Sequence, residues 1–332
     1  MQFSSIAAAC RQATTALLLS FALASSVGAQ SVYLQRPDDP RAIDARPGVA
    51  GLQGDGIADD TDALQAAINR VAETTGEGIV FLADGHYRVS HTIYLWSGIR
   101  LIGYGAHRPT LVLGQTTPGF QQGHDFLGTG RYMLQFASRR PTSDGPVLDA
   151  NEFTFYSGVS NVNFEIGDGN PAAIAIRFHV AQHSFLAHVD IQAGNGRGGI
   201  EDVGNQAHDI TIRGGDYGIL SKRTAPAWQF LLMDSHITGQ RVAAIHTEEV
   251  GMTLVRVELA DTPVAVEISR GMPEQLYGRD LLLRNITRTA FVLGDVSQQH
   301  HQVTLEEIHC DHVTRLLEGG DTVLGWTSIP AP

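Results

Sequence analysis

Residues 54–68 read GDGIADDTDALQAAI, an acid-rich approach to a stretch of helical spacing. Asp59 or Asp60 is placed to cap a helix, its carboxylate accepting bonds from the free amides of the first turn. Leu64, Ala67, Ile68 and Val71 then recur at helical intervals and form one apolar face. Gly76 supplies a stop. The spacing predicts a helix over about 60–75, and cap geometry accounts for Asp55, Asp59 and Asp60 without a catalytic role.

Beyond Gly76 the pattern changes to short β-type runs closed by Gly or a polar pair. They are Gly78–Leu82, Ala83–Val89, Thr92–Leu95 and Ile99–Gly103. The GDGxxDDTxALQxAI helix, followed by the Phe81-x-x-x-Gly85-x-Tyr87 strand, resembles the N-terminal element of the pectate-lyase superfamily. Within it, the match is to rhamnogalacturonase/epimerase-like β-helix proteins. That group includes enzymes related to glycoside hydrolase family 28, tandem-helix exo-β-1,3-glucanases and phage tailspikes. The resemblance runs from about Arg36 to about Gly320. The stretches FEIGDGNPAAIAIRFHVAQH (164–183) and GIEDVGNQAHDITIRGGDYGI (199–219) are similar to a bacterial group related to family 28. It implies a fold and leaves the activity open.

Periodicity points the same way. Apolar strand ends recur at Ile166, Ile191, Ile212, Ile237, Leu259, Ile286 and Ile308, at spacings of 21 to 27 residues. A second series, Ile176, Ile200, Ile219, Ile245, Val266, Val292 and Leu316, recurs every 19 to 26. Each coil therefore reads as a strand, a turn often carrying Gly, a second strand and a longer loop. One coil cannot bury its apolar face alone, whereas a stack makes a continuous core. A propeller blade needs about forty residues, and a sandwich does not keep this period. The expected fold is an all-β, single-stranded, right-handed parallel β-helix with an N-terminal capping α-helix. Residues 114–150 break the rhythm around Phe120, His124, Phe126 and Tyr132, and read as a long loop beside the groove.

The first 29 residues read as a secretory signal peptide. An apolar run at 16–24 leads to Val27 and Ala29, the positions a signal peptidase inspects. Residues 30–50 form an N-terminal extension, and 51–332 the β-helix domain. No later stretch approaches the ~20 apolar residues of a membrane span. The expected location is secreted or periplasmic. Of two cysteines, Cys10 leaves with the signal, so Cys310 is expected to stay unpaired as a small buried hydrophobe. With 35 acidic against 23 basic residues, nucleic acid is a poor partner. Whether the protein is a monomer or a trimer is not readable. The chain closes at Pro332 with no evident C-terminal capping helix, and without room for the second β-helix that carries the catalytic acid in tandem-helix glucanases.

Parallel β-helix enzymes hold extended polysaccharide along one outer sheet, where equivalent residues of successive coils form a row. Aligning the second strands on Ile176, Ile200, Ile219, Ile245 and Val266 turns alternate residues outward. These are Arg177 and His179, Glu201 and Val203, Leu220 and Lys222, His246 and Glu248, Glu267 and Ser269. The candidate catalytic residues are Glu248, Glu201, Asp202 and Lys222. Glu201 and Glu248, two coils apart at roughly 9–10 Å, suit an inverting pair, with Lys222 between them tuning one pKa. Asp202 points inward under strict alternation unless a bulge near Gly204 rotates it. His179, His246 and Arg223 are candidate substrate contacts, and Trp228 a stacking platform or a packing residue.

No metal site is expected. In His309-Cys310-Asp311-His312 the two histidines are three apart and face opposite sides of a strand. GxSxG, Walker and dinucleotide motifs are absent, as is the carboxylate set of polygalacturonases. Three functions stay open. The leading one is a glycoside hydrolase acting on cell-wall or extracellular polysaccharide without a cofactor. The others are a polysaccharide lyase, with Lys222 or Arg223 as base and Ca²⁺ beside it, and a non-catalytic carbohydrate-binding β-helix.

Overall fold

The computed structural model describes residues 11–12, 30–122, 131–141, 145–225, 229–271, 273–295 and 301–319. Its strands pair in parallel, each with the equivalent strand one coil further on, as in a right-handed parallel β-helix. Thr61–Thr74 is the one helix among the described residues. Leu64, Ala67, Ile68 and Val71 are its buried face, packed into the same core as Val80, Leu82 and Leu101 of the first coils. The helix thereby closes the N-terminal end of the stack. Of the two acids expected at its start, Asp59 accepts a first-turn amide and Asp60 does not. Asp60 is the N-cap residue but gives no side-chain cap. Its carboxylate instead accepts the N–H groups of Gln53 (2.7 Å) and Gly54 (3.0 Å), tying down the approaching loop. Asp59 accepts from the Thr61 N–H at 3.0 Å.

The longer strands bend without a loop. Asn161, His188, Asp209, Asp234, Arg256, Asp280 and Glu307 all have φ between +50° and +59°. Register places them one above another, because Ala187 pairs with His208, His208 with Met233, and Met233 with Val255. A single left-handed residue turns the strand from one face of the coil to the next. Asn and Asp take this conformation at lower cost than most residues.

The apolar columns follow the predicted period in the middle of the stack and depart from it at the ends. Ile191, Ile212, Ile237 and Leu259 stack in register. The column continues through Phe164 below and through Leu283 and Cys310 above. Ile166, Ile286 and Ile308 lie outside it, with Ile308 beside Leu281. In the second series Ile176, Ile200, Ile219, Ile245 and Val266 pair in order. Phe291 and Leu317 then take the places expected for Val292 and Leu316. A register shift between Thr262 and Val264 inserts the extra residue. An apolar count cannot locate such a bulge.

Three further readings change. Arg131–Ala137, expected within a loop, is a strand between Ile93–Trp96 and Ala173–Arg177, with Tyr132, Leu134 and Phe136 buried. His124 and Phe126 lie outside the described residues. Ile43–Ala45 pairs with Gly78–Ala83, so the stack begins before residue 51. Cys310 is disulfide-bonded rather than unpaired, and Arg11–Gln12 pairs alongside His309 and Cys310. Cys10 lies outside the described residues.

Candidate active site on the outer sheet

The outer row forms where the alternation places it. Arg177 stands in register with Glu201, Glu201 with Leu220, Leu220 with His246, and His246 with Glu267. Within this row the polar side chains converge at one end. Tyr132 donates its hydroxyl to Glu201 Oε1 at 2.8 Å, and the Arg177 guanidinium lies 5.6 Å from the centre of the Tyr132 ring. Arg177 bridges two acids, with Nη2 2.9 Å from both Asp149 Oδ2 and Asp202 Oδ2. His179 Nδ1 lies 3.0 Å from Asp149 Oδ2, and its Nε2 lies 3.2 Å from the Ala225 carbonyl. Both ring nitrogens face acceptors, which makes His179 a fixed donor.

Asp202 joins this group because its backbone leaves the strand. The strand Gly198–Glu201 ends one residue earlier. Asp202 has φ +52°, so the strict alternation stops there. The turn resides at Asp202 itself and not at Gly204. Its carboxylate reaches Arg177, and Val203, expected outward, is buried instead.

Burial raises both adjacent acids, and neighbouring charges act on them differently. Glu201 is buried, and its pKa is pushed up to about 7, first by that burial and then by the charge of Asp202. Burial also raises Asp202, but Arg177, Lys222 and His179 oppose the rise. Partial desolvation works to raise Asp149, yet His179 and Arg177 hold it below its ordinary value. The Tyr132 phenol is raised by burial and by Glu201, so it stays a neutral donor.

The raised Glu201 makes stability pH-dependent. More protons are bound in the folded state than in the unfolded state between about pH 4.5 and 7, so stability falls as pH rises through that window. The contribution is at most about 3 kcal/mol. Wild-type protein should lose thermal stability from pH 5 to 8 by more than Glu201→Gln, and parallel melting curves would count against the raised pKa. Removal of Arg177 should cost more at neutral pH, since the Asp202 side chain is 3% exposed and would lose its bridging cation. Arg177→Ala is expected to cost about 3–5 kcal/mol, as measured by denaturant unfolding. An unchanged midpoint would mean that Arg177 is not what holds the acids together.

The model of the rhamnogalacturonase A/epimerase, pectate lyase-like family matches residues 50–267. The chain belongs to this family. A protein of Arthroderma benhamiae named "probable glucan endo-1,3-beta-glucosidase" is 24% identical over 251 residues, which is 70% of this chain and 27% of that protein. "Alginate lyase 7" of Azotobacter vinelandii is 35% identical over 99 residues, 30% of this chain and 11% of that protein. The chain thus spans a minor part of either relative. Among solved structures, ORF18 of Geobacillus virus E2 superposes with a TM-score of 0.51 at 13% identity, over 86% of this chain and 61% of that one. That likeness concerns the fold alone.

Of the residues singled out from sequence, Glu201, Asp202, Lys222 and His179 gather at this family member's outer sheet. Glu248 does not stand in the Glu201 row, because it pairs with Lys222 one row further along. Two strands across and two residues along put it about 12 Å from Glu201 between Cα atoms. The spacing of roughly 9–10 Å holds along the stacking direction alone. Arg223 is drawn away to Glu249 at 2.6 Å. His246 meets Glu267 and Ser269 instead. Trp228 lies outside the described residues. Sequence reading missed Tyr132 and Asp149. The alternating run RYMLQFA (131–137) was the available signal for Tyr132. Asp149 sits in an irregular segment that follows no period.

Proposed function

We propose that this chain is a secreted or periplasmic glycoside hydrolase that cleaves a polysaccharide lying across the outer sheet. Glu201 is the general acid and Asp202 its carboxylate partner, the role that sequence spacing had assigned to Glu248. The observation that carries this reading is a pair of neighbouring acids in unlike electrostatic surroundings. Glu201 is raised to about 7, while cations surround Asp202. A protonated carboxyl beside an ionised one is what glycosidic cleavage requires.

Glu201 gives its proton to the glycosidic oxygen as the bond breaks. Asp202 faces the developing positive charge on the sugar and takes a proton from the incoming water. Lys222 supplies a charged contact to sugar hydroxyls, and His179 positions Asp149 through its ring. The row extends over several coils, which suits an extended chain better than a small sugar. The named activities of the Arthroderma and Azotobacter relatives favour a polysaccharide substrate. No step in this scheme uses a cofactor.

The test is digestion of a polysaccharide panel, with reducing ends and unsaturated-uronate absorbance followed together. Reducing ends without absorbance are expected, with a rate that falls as pH rises through about 7. Absorbance from unsaturated uronate would replace this reading with the lyase one, in which Lys222 is the base and Ca²⁺ offsets the uronate charge. Binding without any new ends would leave a carbohydrate-binding β-helix.

A further inference from the structure

The same outer row carries a second arrangement. His246 Nδ1 lies 2.7 Å from Glu267 Oε2, and His246 Nε2 lies 2.9 Å from Ser269 Oγ. A carboxylate only accepts, so Nδ1 carries the hydrogen and the Nε2 lone pair is left to accept the serine hydroxyl. The hydrogen bond from His246 holds Glu267 below the usual carboxylate range, which keeps it an acceptor. His246 and Glu267 are side by side on adjacent strands. The Ser269 backbone is anchored by its N–H to the Thr247 carbonyl at 2.9 Å. The Tyr217 ring packs edge-on to the imidazole, with 5.7 Å between ring centres. The His246 side chain is 15% exposed and that of Glu267 28%, so the base is sheltered yet reachable.

Nucleophile, base and orienting acid stand here in the order that acyl transfer needs. We propose that Ser269, His246 and Glu267 form a hydrolytic triad that removes O-acyl groups, such as acetyl esters, from a polysaccharide on this face. Ser269 Oγ attacks the ester carbonyl while His246 Nε2 takes its proton. That proton passes to the departing sugar oxygen, leaving an acyl-serine and a free sugar hydroxyl. Water then attacks the acyl-serine, loses a proton to His246 and releases the carboxylic acid, and the proton returns to Ser269. Glu267 is a positioning residue, since it acts through the imidazole.

Placement favours a polysaccharide ester over a small one. Glu201 and His246 share one row with Leu220 between them, about 10 Å apart across two strands. A sugar chain running along the stack meets both groups. Deacylation does not depend on chain cleavage at Glu201, and its readout is separate.

The full chain is incubated with a fluorophosphonate probe, digested and mapped by mass. In parallel, p-nitrophenyl acetate turnover and acetate release from an acetylated polysaccharide are followed. The expected result is a covalent adduct on Ser269 and turnover of both substrates. Ser269→Ala, with an unchanged melt, should abolish the adduct and slow both rates by about a thousandfold or more. His246→Ala should also prevent labelling. Glu267→Gln should slow the rates, and Glu267→Asp should restore part of the loss, which a merely structural contact would not require. Absence of an adduct on Ser269, failure to release acetate, or undiminished rates in Ser269→Ala would overturn the triad.

Discussion

Glu201→Gln is expected to lower the rate of polysaccharide cleavage by about 10²–10⁴-fold, the usual contribution of a positioned general acid. The reason lies in what the substitution keeps. Gln has nearly the shape of Glu, and its carbonyl oxygen can still accept the Tyr132 hydroxyl that now reaches Oε1 at 2.8 Å. It is neutral, as Glu201 is below its raised pKa of about 7, so the neighbouring Asp202 meets no new charge. Only the transferable proton is lost. Substrate affinity should therefore change little, while turnover falls across the whole pH range. A variant that cleaves at the wild-type rate would remove Glu201 from the chemistry. Asp202→Asn provides the complementary test, since it removes the partner carboxyl and one arm of the Arg177 bridge.

The largest structural effect is expected at the end of the stack. Leu64 and Ile68 are fully buried on the helix face that covers the first coils. Replacing both by Asp places two carboxyl groups in an apolar core with no partner. Each removes apolar burial and adds the cost of a polar group without a hydrogen bond, several kcal/mol per site. The sum rivals the ~5–15 kcal/mol that holds a typical fold together. The double variant should be insoluble or lack a cooperative melt by circular dichroism. Ala66→Asp, on the exposed face of the same helix, separates burial from helix propensity and should melt like the wild type. A cooperative, unshifted transition in the double variant would show that the helix is not needed to close the core.

How far the molecule was legible differed from place to place, for physical reasons. The helix was readable because its burial is one-sided and its period local. The order of Ile176, Ile200, Ile219, Ile245 and Val266 was readable because each must enter the same core from successive coils. That register carried Glu201, Lys222 and His246 to the correct outer face. It failed at Val292 because one bulged residue shifts every later side chain without changing the apolar composition. The sharp bends were less visible, because residues as different as His188, Asp209 and Arg256 all adopt the left-handed conformation there.

Residue types and local period alone thus determined the fold class, the capped N-terminal end and the face of the sheet on which charged side chains collect. Only the tertiary structure decided which of those charges meet. Asp149 reaches Arg177 and His179 from an irregular segment, and Tyr132 reaches Glu201 from 69 residues away in the chain. The left-handed turn at Asp202 brings two acids of consecutive sequence beside one guanidinium. Coil stacking is repetitive, so its signal accumulates along the sequence. A site is a single set of long-range contacts, and no period records it.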